Sequence, residues 1–248
     1  MSWANFGSLG GAGNGVAATS ISHTTSTYNV SVNQIILTCI VVDNTTSTTD
    51  GNPTNEVSSV NDSTGGNTWI KIAEFTNGEG AAGAGCTVAV FMTQPATQIN
   101  VGSTITATLN SSVTAKGISS YLFSVAAGST VAIAGAVQTL ANDAAPVGSM
   151  AISGLTSGEY LFVRAMASEA QNFGSFALTS GFGHIFGGWG YDGGTDAASM
   201  KMQGEWDLAA GTGSTSAPTG SRSVDWASVF FALQEVQPTS TLFFGAGV

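Results

Sequence analysis

No segment of this chain repeats apolar residues at i, i+3, i+4 and i+7 for long enough to make a helix, and that absence constrains the fold most. From Tyr28 onward the sequence is instead a series of short apolar runs punctuated by Gly, Asn, Asp and Thr. The runs are Gln34–Val42, Thr68–Phe75, Thr87–Met92, Thr104–Leu109, Ile118–Val125, Val131–Leu140, Ser149–Ile152, Tyr160–Ala165, Phe182–Phe186, Ser199–Trp206 and Ala227–Glu235. Each has the length of a strand. Most are enriched in β-branched and aromatic residues, which suit a pleated, half-buried surface.

The runs are of two kinds. In Thr104–Leu109, Ile105, Ala107 and Leu109 fall on one face and the threonines on the other, the period of a half-buried strand. Ile35–Val42 and Tyr160–Val163 are almost continuously apolar, as central strands covered on both faces would be. Many short strands with no helices between them pack as antiparallel sheets. The expected fold is therefore all-β, an antiparallel two-sheet sandwich of jelly-roll type, with an immunoglobulin-like sandwich as second choice. No repeat of roughly 20–50 residues points to a propeller or solenoid. Residues 1–27 show neither regular period and are expected to form an N-terminal arm or irregular edge. A single sandwich domain is expected over 28–235. Pro238 then stops the last strand and opens a C-terminal arm, 236–248.

Composition narrows the possible partners. Charged residues are 8% of the 248, against about 25% in an ordinary domain, so the polar surface is built from Thr, Ser, Asn and glycine backbone. Five cations face fifteen carboxylates, a net charge of −10. Nucleic-acid affinity depends on Lys and Arg displacing counterions, and anionic lipid attracts basic segments; neither partner suits this chain. The N-terminus has no cationic region followed by an apolar one, so no signal peptide is expected, and no apolar run is long enough to span a membrane.

Chemistry-bearing residues are few. His23 sits in a Ser/Thr-rich stretch and reads as a solvated loop residue, while His184 reads as the end of a strand. Cys39 and Cys86 each lie in an apolar run and read as two buried hydrophobes on neighbouring strands, with a disulfide between them as the alternative. No nucleophile elbow, paired-histidine metal motif or phosphate loop is present. The loop after the first core strand carries Asp43, Asp50 and Glu56, then Asn61 and Asp62. These are turn and cap residues, or a structural calcium site on Asp43, Asp50 and Glu56, because Ca²⁺ takes six to eight oxygens of this kind. Beyond that possible calcium ion no cofactor is expected. Trp189 and Tyr191, flanked by glycines and followed by Asp192 and Asp196, either seal one end of the sandwich or offer an aromatic platform with hydroxyl-accepting carboxylates to a sugar. Leu242, Phe243 and Phe244 in the C-terminal arm either pack back on their own domain or dock on a neighbouring subunit.

A set of segments adds a resemblance: Asp43-Asn44, Thr49-Asp50-Gly51, Asn55-Glu56-Val57-Ser58-Ser59-Val60, Asp62-Ser63, Gly66-Asn67-Thr68-Trp69, Lys71, Glu74, Asn77-Gly78, Gly158-Glu159-Tyr160-Leu161-Phe162 and Ala227-Ser228-Val229-Phe230. With these the chain resembles a group of largely uncharacterised Gly/Thr-rich β-sandwich proteins of tailed phages and environmental bacteria. The resemblance implies a non-enzymatic virion structural protein, a head decoration, spike or tail-fibre component, located in the particle. Its partners would be other virion proteins or further copies of itself, joined through β-edges and terminal arms. The alternative is a carbohydrate-binding or adhesin module, extracellular or at the cell surface and possibly calcium-stabilised, with a surface glycan as ligand.

Overall fold

The computed structural model describes residues 3–44, 47–51, 55–78, 85–142, 148–171, 176–221 and 223–237. Its first half contains eight strands: β1 (Ala4–Asn14), β2 (Ala18–Thr24), β3 (Gln34–Asp43), β4 (Val57–Asp62), β5 (Ile70–Thr76), β6 (Cys86–Thr93), β7 (Thr104–Val113) and β8 (Lys116–Ser124). They form a sheet of order β1-β8-β3-β6-β5 and a second of order β2-β7-β4, with every pairing antiparallel. Pairing β1 with β8, β2 with β7 and β3 with β6 is the nested ribbon of a jelly roll. One pairing departs from that plan: β5 lies beside β6 and makes no ladder with β4.

The second half adds β9 (Thr130–Asn142), β10 (Met150–Ile152), β11 (Gly158–Ser168), β12 (Phe176–Ala177), β13 (Gly183–His184), β14 (Gly190–Tyr191), β15 (Met200–Gly211), β16 (Ser214–Ser216), β17 (Thr219–Gly220) and β18 (Trp226–Val236). β13-β15-β11-β18-β9 form a third sheet, with β14 also on β15, while β10–β16 and β12–β17 are small covering pairs. The only helical element among the described residues is a single 3-10 turn at Asp196–Ala198.

The all-β antiparallel sandwich is as the sequence predicts, but it has more layers than two. On β3, Ile35, Leu37, Cys39 and Val41 face the third sheet, and Ile36, Ile40 and Val42 face the second. The first sheet is thus covered on both faces, which is why Ile35–Val42 is apolar without alternation. β11 divides in the same way. Leu161, Val163, Ala165 and Ala167 enter the core shared with the first sheet, while Tyr160 and Phe162 join Phe230, Met150 and Ile152 on the outer face.

The N-terminal residues do not form an arm. β1 pairs with β8 from Ala4↔Ser124 to Asn14↔Lys116, and β2 pairs with β7. Their Gly/Ser/Thr composition hides the strand period because few side chains mark a face. The expected single sandwich over 28–235 is corrected accordingly: the layers need residues from Ala4 onward. His23 is also corrected. It is buried on β2, and its Nε2 lies 2.8 Å from Ser120 Oγ of the first sheet, whose hydroxyl is 2.7 Å from that of Thr38. Burial pushes its pKa down, so it is held neutral. Lys116 is fully buried as well. Its ammonium donates to the carbonyls of Val16 at 2.6 Å and Val113 at 2.7 Å, tying two turns together.

Candidate functional site

The Trp189–Asp196 segment lies where the first and third sheets meet at one edge. β14 pairs with β15 through Gly190↔Lys201 and Tyr191↔Met200, and it also packs across β1. A methyl group on Gly13 would sit 1.6 Å from the Gly190 carbonyl oxygen. On Gly11 it would meet the Trp189 ring at 2.5 Å, and on Gly15 the Tyr191 ring at 1.9 Å. Gly11, Gly13 and Gly15 recur with period two, so one face of this segment is stripped of Cβ atoms to seat the aromatic segment. Tyr191 packs against the core, whereas Trp189 stays 37% exposed over its glycine. Asp192 Oδ1 accepts from the Gly194 amide at 3.0 Å, and Asp196 Oδ1 from the Gln171 amide at 3.0 Å. Asp192 therefore caps its own turn, whereas Asp196 ties this segment to Gln171, 25 residues earlier in the chain. Gly13→Ala is expected to lower stability by about 1–3 kcal/mol, because backbone faces backbone and neither can yield. Thermal unfolding, with hydrogen exchange at Trp189–Tyr191, measures it; an unchanged melting temperature would contradict the packing.

The acidic loop does not gather its carboxylates. Asp50 Oδ1 accepts from the Gly78 amide at 3.1 Å, Glu56 Oε2 from the Ser111 hydroxyl at 3.1 Å, and Asp43 ends β3 half-buried. Asp62 caps its own turn, accepting from the Thr64 amide at 3.1 Å and the Trp69 ring N–H at 3.0 Å. Among the described residues no group of three or more His, Cys, Asp or Glu side chains could hold a metal, and Asp50 and Glu56 each accept a hydrogen bond from a different partner. Cys39 and Cys86 are free and buried, on the adjacent strands β3 and β6. His184 is exposed on β13, 2.6 Å from Gln203 Oε1.

Asp43 has different neighbours from those its loop suggests. It stands at the junction of the two halves, close enough to Glu169, at the end of β11, for their charges to interact, and Asp225, just before β18, acts on Glu169 in the same way. Glu169 Oε2 accepts from the Gly85 amide at 2.6 Å, and Asn77 Nδ2 donates to the Trp226 carbonyl at 3.2 Å. Both contacts bind the jelly-roll half to the third sheet. Burial pushes Glu169 up to about 7, opposed by the Gly85 hydrogen bond and aided by the charges of Asp43 and Asp225. Burial alone pushes Asp43 up to about 6. The junction therefore retains protons at pH values where exposed carboxylates have lost them. Glu169 and Asp225 could not be picked from the sequence, because the fold brings Glu169 to Asp43 across more than a hundred residues and Asp225 to Glu169 across more than fifty.

A second polar cluster lies under the outer cover of the third sheet. Arg164 on β11 is fully buried; its Nε donates to Ser228 Oγ at 2.7 Å and its Nη1 to the Gly148 carbonyl at 2.8 Å and Ser216 Oγ at 3.3 Å. Ser216 in turn donates to Glu205 Oε1 at 2.5 Å, and Glu205 accepts from the Thr179 amide at 2.8 Å. Burial lowers Arg164 to about 10, partly offset by the Glu205 charge. This network pins β16 and the Thr179 turn onto the sheet.

Leu242, Phe243 and Phe244 lie outside the described residues. Comparison with protein families, curated proteins and solved structures finds no match.

Proposed function

We propose that this chain is a non-enzymatic structural protein of a bacteriophage particle, a head decoration, spike or tail-fibre component, that assembles through its free sheet edges. The observation that carries the reading is β9. It is an outermost strand of the third sheet, runs from Thr130 to Asn142, and has no ionisable side chain. Isolated proteins blunt such edges with charge, proline or shortness, because a row of unpaired backbone groups is a template for another strand. In a chain of net charge −10, a long neutral edge is where a like-charged copy or a virion neighbour can approach. Jelly rolls serve as viral capsid domains, which agrees with this use.

The test is composition of purified particles, which should contain the protein at a fixed, symmetric copy number; its absence would sink the reading. At the level of the chain, Ile133→Glu with Ala136→Glu places charge on exposed β9 positions. Sedimentation should show the wild type self-associating and this variant monomeric; equal behaviour of the two would remove β9 as the assembly edge.

Trp189 favours a second reading, a carbohydrate-binding or adhesin module, since jelly rolls also serve as lectins and an exposed indole can stack on a sugar. Glycan affinity lost in Trp189→Ala would support it, and a flat glycan array would count against it.

A further inference from the structure

We propose that Lys71 and Asn55 form an intramolecular isopeptide bond, promoted by the buried carboxyl of Glu74. The site depends on a β-bulge. Along β5, Lys71 is opposite Phe91, Ala73 opposite Val90 and Glu74 opposite Ala89, with the register shift between Lys71 and Ala73. Phe91 and Ala89 belong to the core between the first and second sheets, and Val90 to the core on the other side. The extra residue, Ile72, therefore turns Lys71 and Glu74 onto one face, where strict alternation would put them on opposite faces.

Three functional groups meet there. The Lys71 ammonium touches Asn55 Oδ1 and lies 2.5 Å from Glu74 Oε2. An amine in contact with a carboxamide oxygen is only about one C=O bond length, ~1.2 Å, further from its carbonyl carbon. The Glu74 side chain has no solvent exposure, and both its oxygens accept from the Val57 amide, at 3.3 and 3.4 Å. The Phe91 ring lies under the amine, 5.4 Å from ring centre to nitrogen. Asn55 is fixed in turn. Its backbone is left-handed, with φ of 50°, and its carbonyl accepts from the Asn110 side chain.

The chemistry closes on these atoms alone. Glu74 takes a proton from the Lys71 ammonium, leaving a neutral amine beside a carboxylic acid. The amine nitrogen attacks Asn55 Cγ, forming the Nζ–Cγ bond, and Glu74 relays a proton to Nδ2. The Cγ–Nδ2 bond then breaks and ammonia leaves, with no oxidant or external reactant. Fixed proximity supplies the advantage that makes a free amine and an amide, inert to each other in solution, react at a useful rate. The bond would fasten β5 to the residues leading into β4, where the jelly roll lacks its β4–β5 ladder.

The test is the mass of the purified protein and of its tryptic peptides. The expected result is a mass about 17 Da below that of the sequence, the loss of one ammonia. Trypsin should not cut after Lys71, so the peptide that contains Asn55 should run on to Lys116 as a loop closed between Asn55 and Lys71, because no Lys or Arg lies between those two residues. Lys71→Arg and Asn55→Ala should restore the full mass, and Glu74→Gln should leave most of the protein uncrosslinked. A wild-type peptide map with free Lys71 and intact Asn55 overturns the proposal. So does a deficit that survives in Lys71→Arg, because an asparagine closing on its own backbone also sheds ammonia. The wild-type map decides the question even where a variant fails to fold.

Discussion

Replacing Arg164 with methionine lowers the free energy of unfolding by about 3–5 kcal/mol, the cost of removing one member of a buried charged network. The guanidinium is fully buried, and its loss strands the Ser228 hydroxyl, the Gly148 carbonyl and the charge of Glu205, all of which face it or its immediate neighbour Ser216. Methionine keeps most of the volume beside Trp226, so the loss reports polar groups and not a cavity. The companion variant Arg164→Met with Glu205→Gln recovers a large part of the loss, because the orphaned charge goes with its partner. Urea titration measures both, with midpoint shifts read at constant slope. A single-variant loss below about 1 kcal/mol would show that the network does not hold the cover.

The second large effect is one of pH. Glu169 has a folded pKa of about 7, well above its unfolded value of 4.5, so between these limits the folded chain binds more protons than the unfolded one. Stability from this group is fully present below about pH 4.5 and is lost as pH rises through about 7; Asp43, raised to about 6, acts in the same direction. Glu169→Gln is permanently uncharged and keeps an oxygen for the Gly85 amide. At pH 8 it should be more stable than the wild type by about 2–3 kcal/mol, while at pH 4.5 the two should match. Urea midpoints at the two pH values test this. A Gln variant less stable than the wild type at pH 8 would mean that the carboxylate, not the acid, holds the junction.

The legible parts of this fold were those whose side chains mark a face. β3, β7 and β11 announce themselves through Ile35–Val42, Thr104–Leu109 and Tyr160–Val163. β1 did not, since a strand made of glycine and serine carries no hydrophobic period. Its signal was the alternation of Gly11, Gly13 and Gly15, which has meaning only once Trp189 is known to lie there. The acidic loop showed the converse. Asp43, Asp50 and Glu56 are neighbours in the chain, but the fold sends each to a different partner, and it is Glu169 and Asp225 that share an electrostatic neighbourhood at the junction where Asp43 also stands. Lys71 and Glu74 were visible as residues, but their shared face depends on a bulge that no local spacing reveals.

The ladder between β1 and β8 also sets an order in time. Ala4 pairs with Ser124, so β1 has no ladder partner until about 120 residues have followed it, roughly 6–25 s at ribosomal speed. During that wait an apolar strand would seek any open edge, its own or another chain's. A glycine-rich strand has little to bury and so can remain uncommitted until β8 is made. The composition that hides β1 from a reader of the sequence also protects the nascent chain from pairing too early.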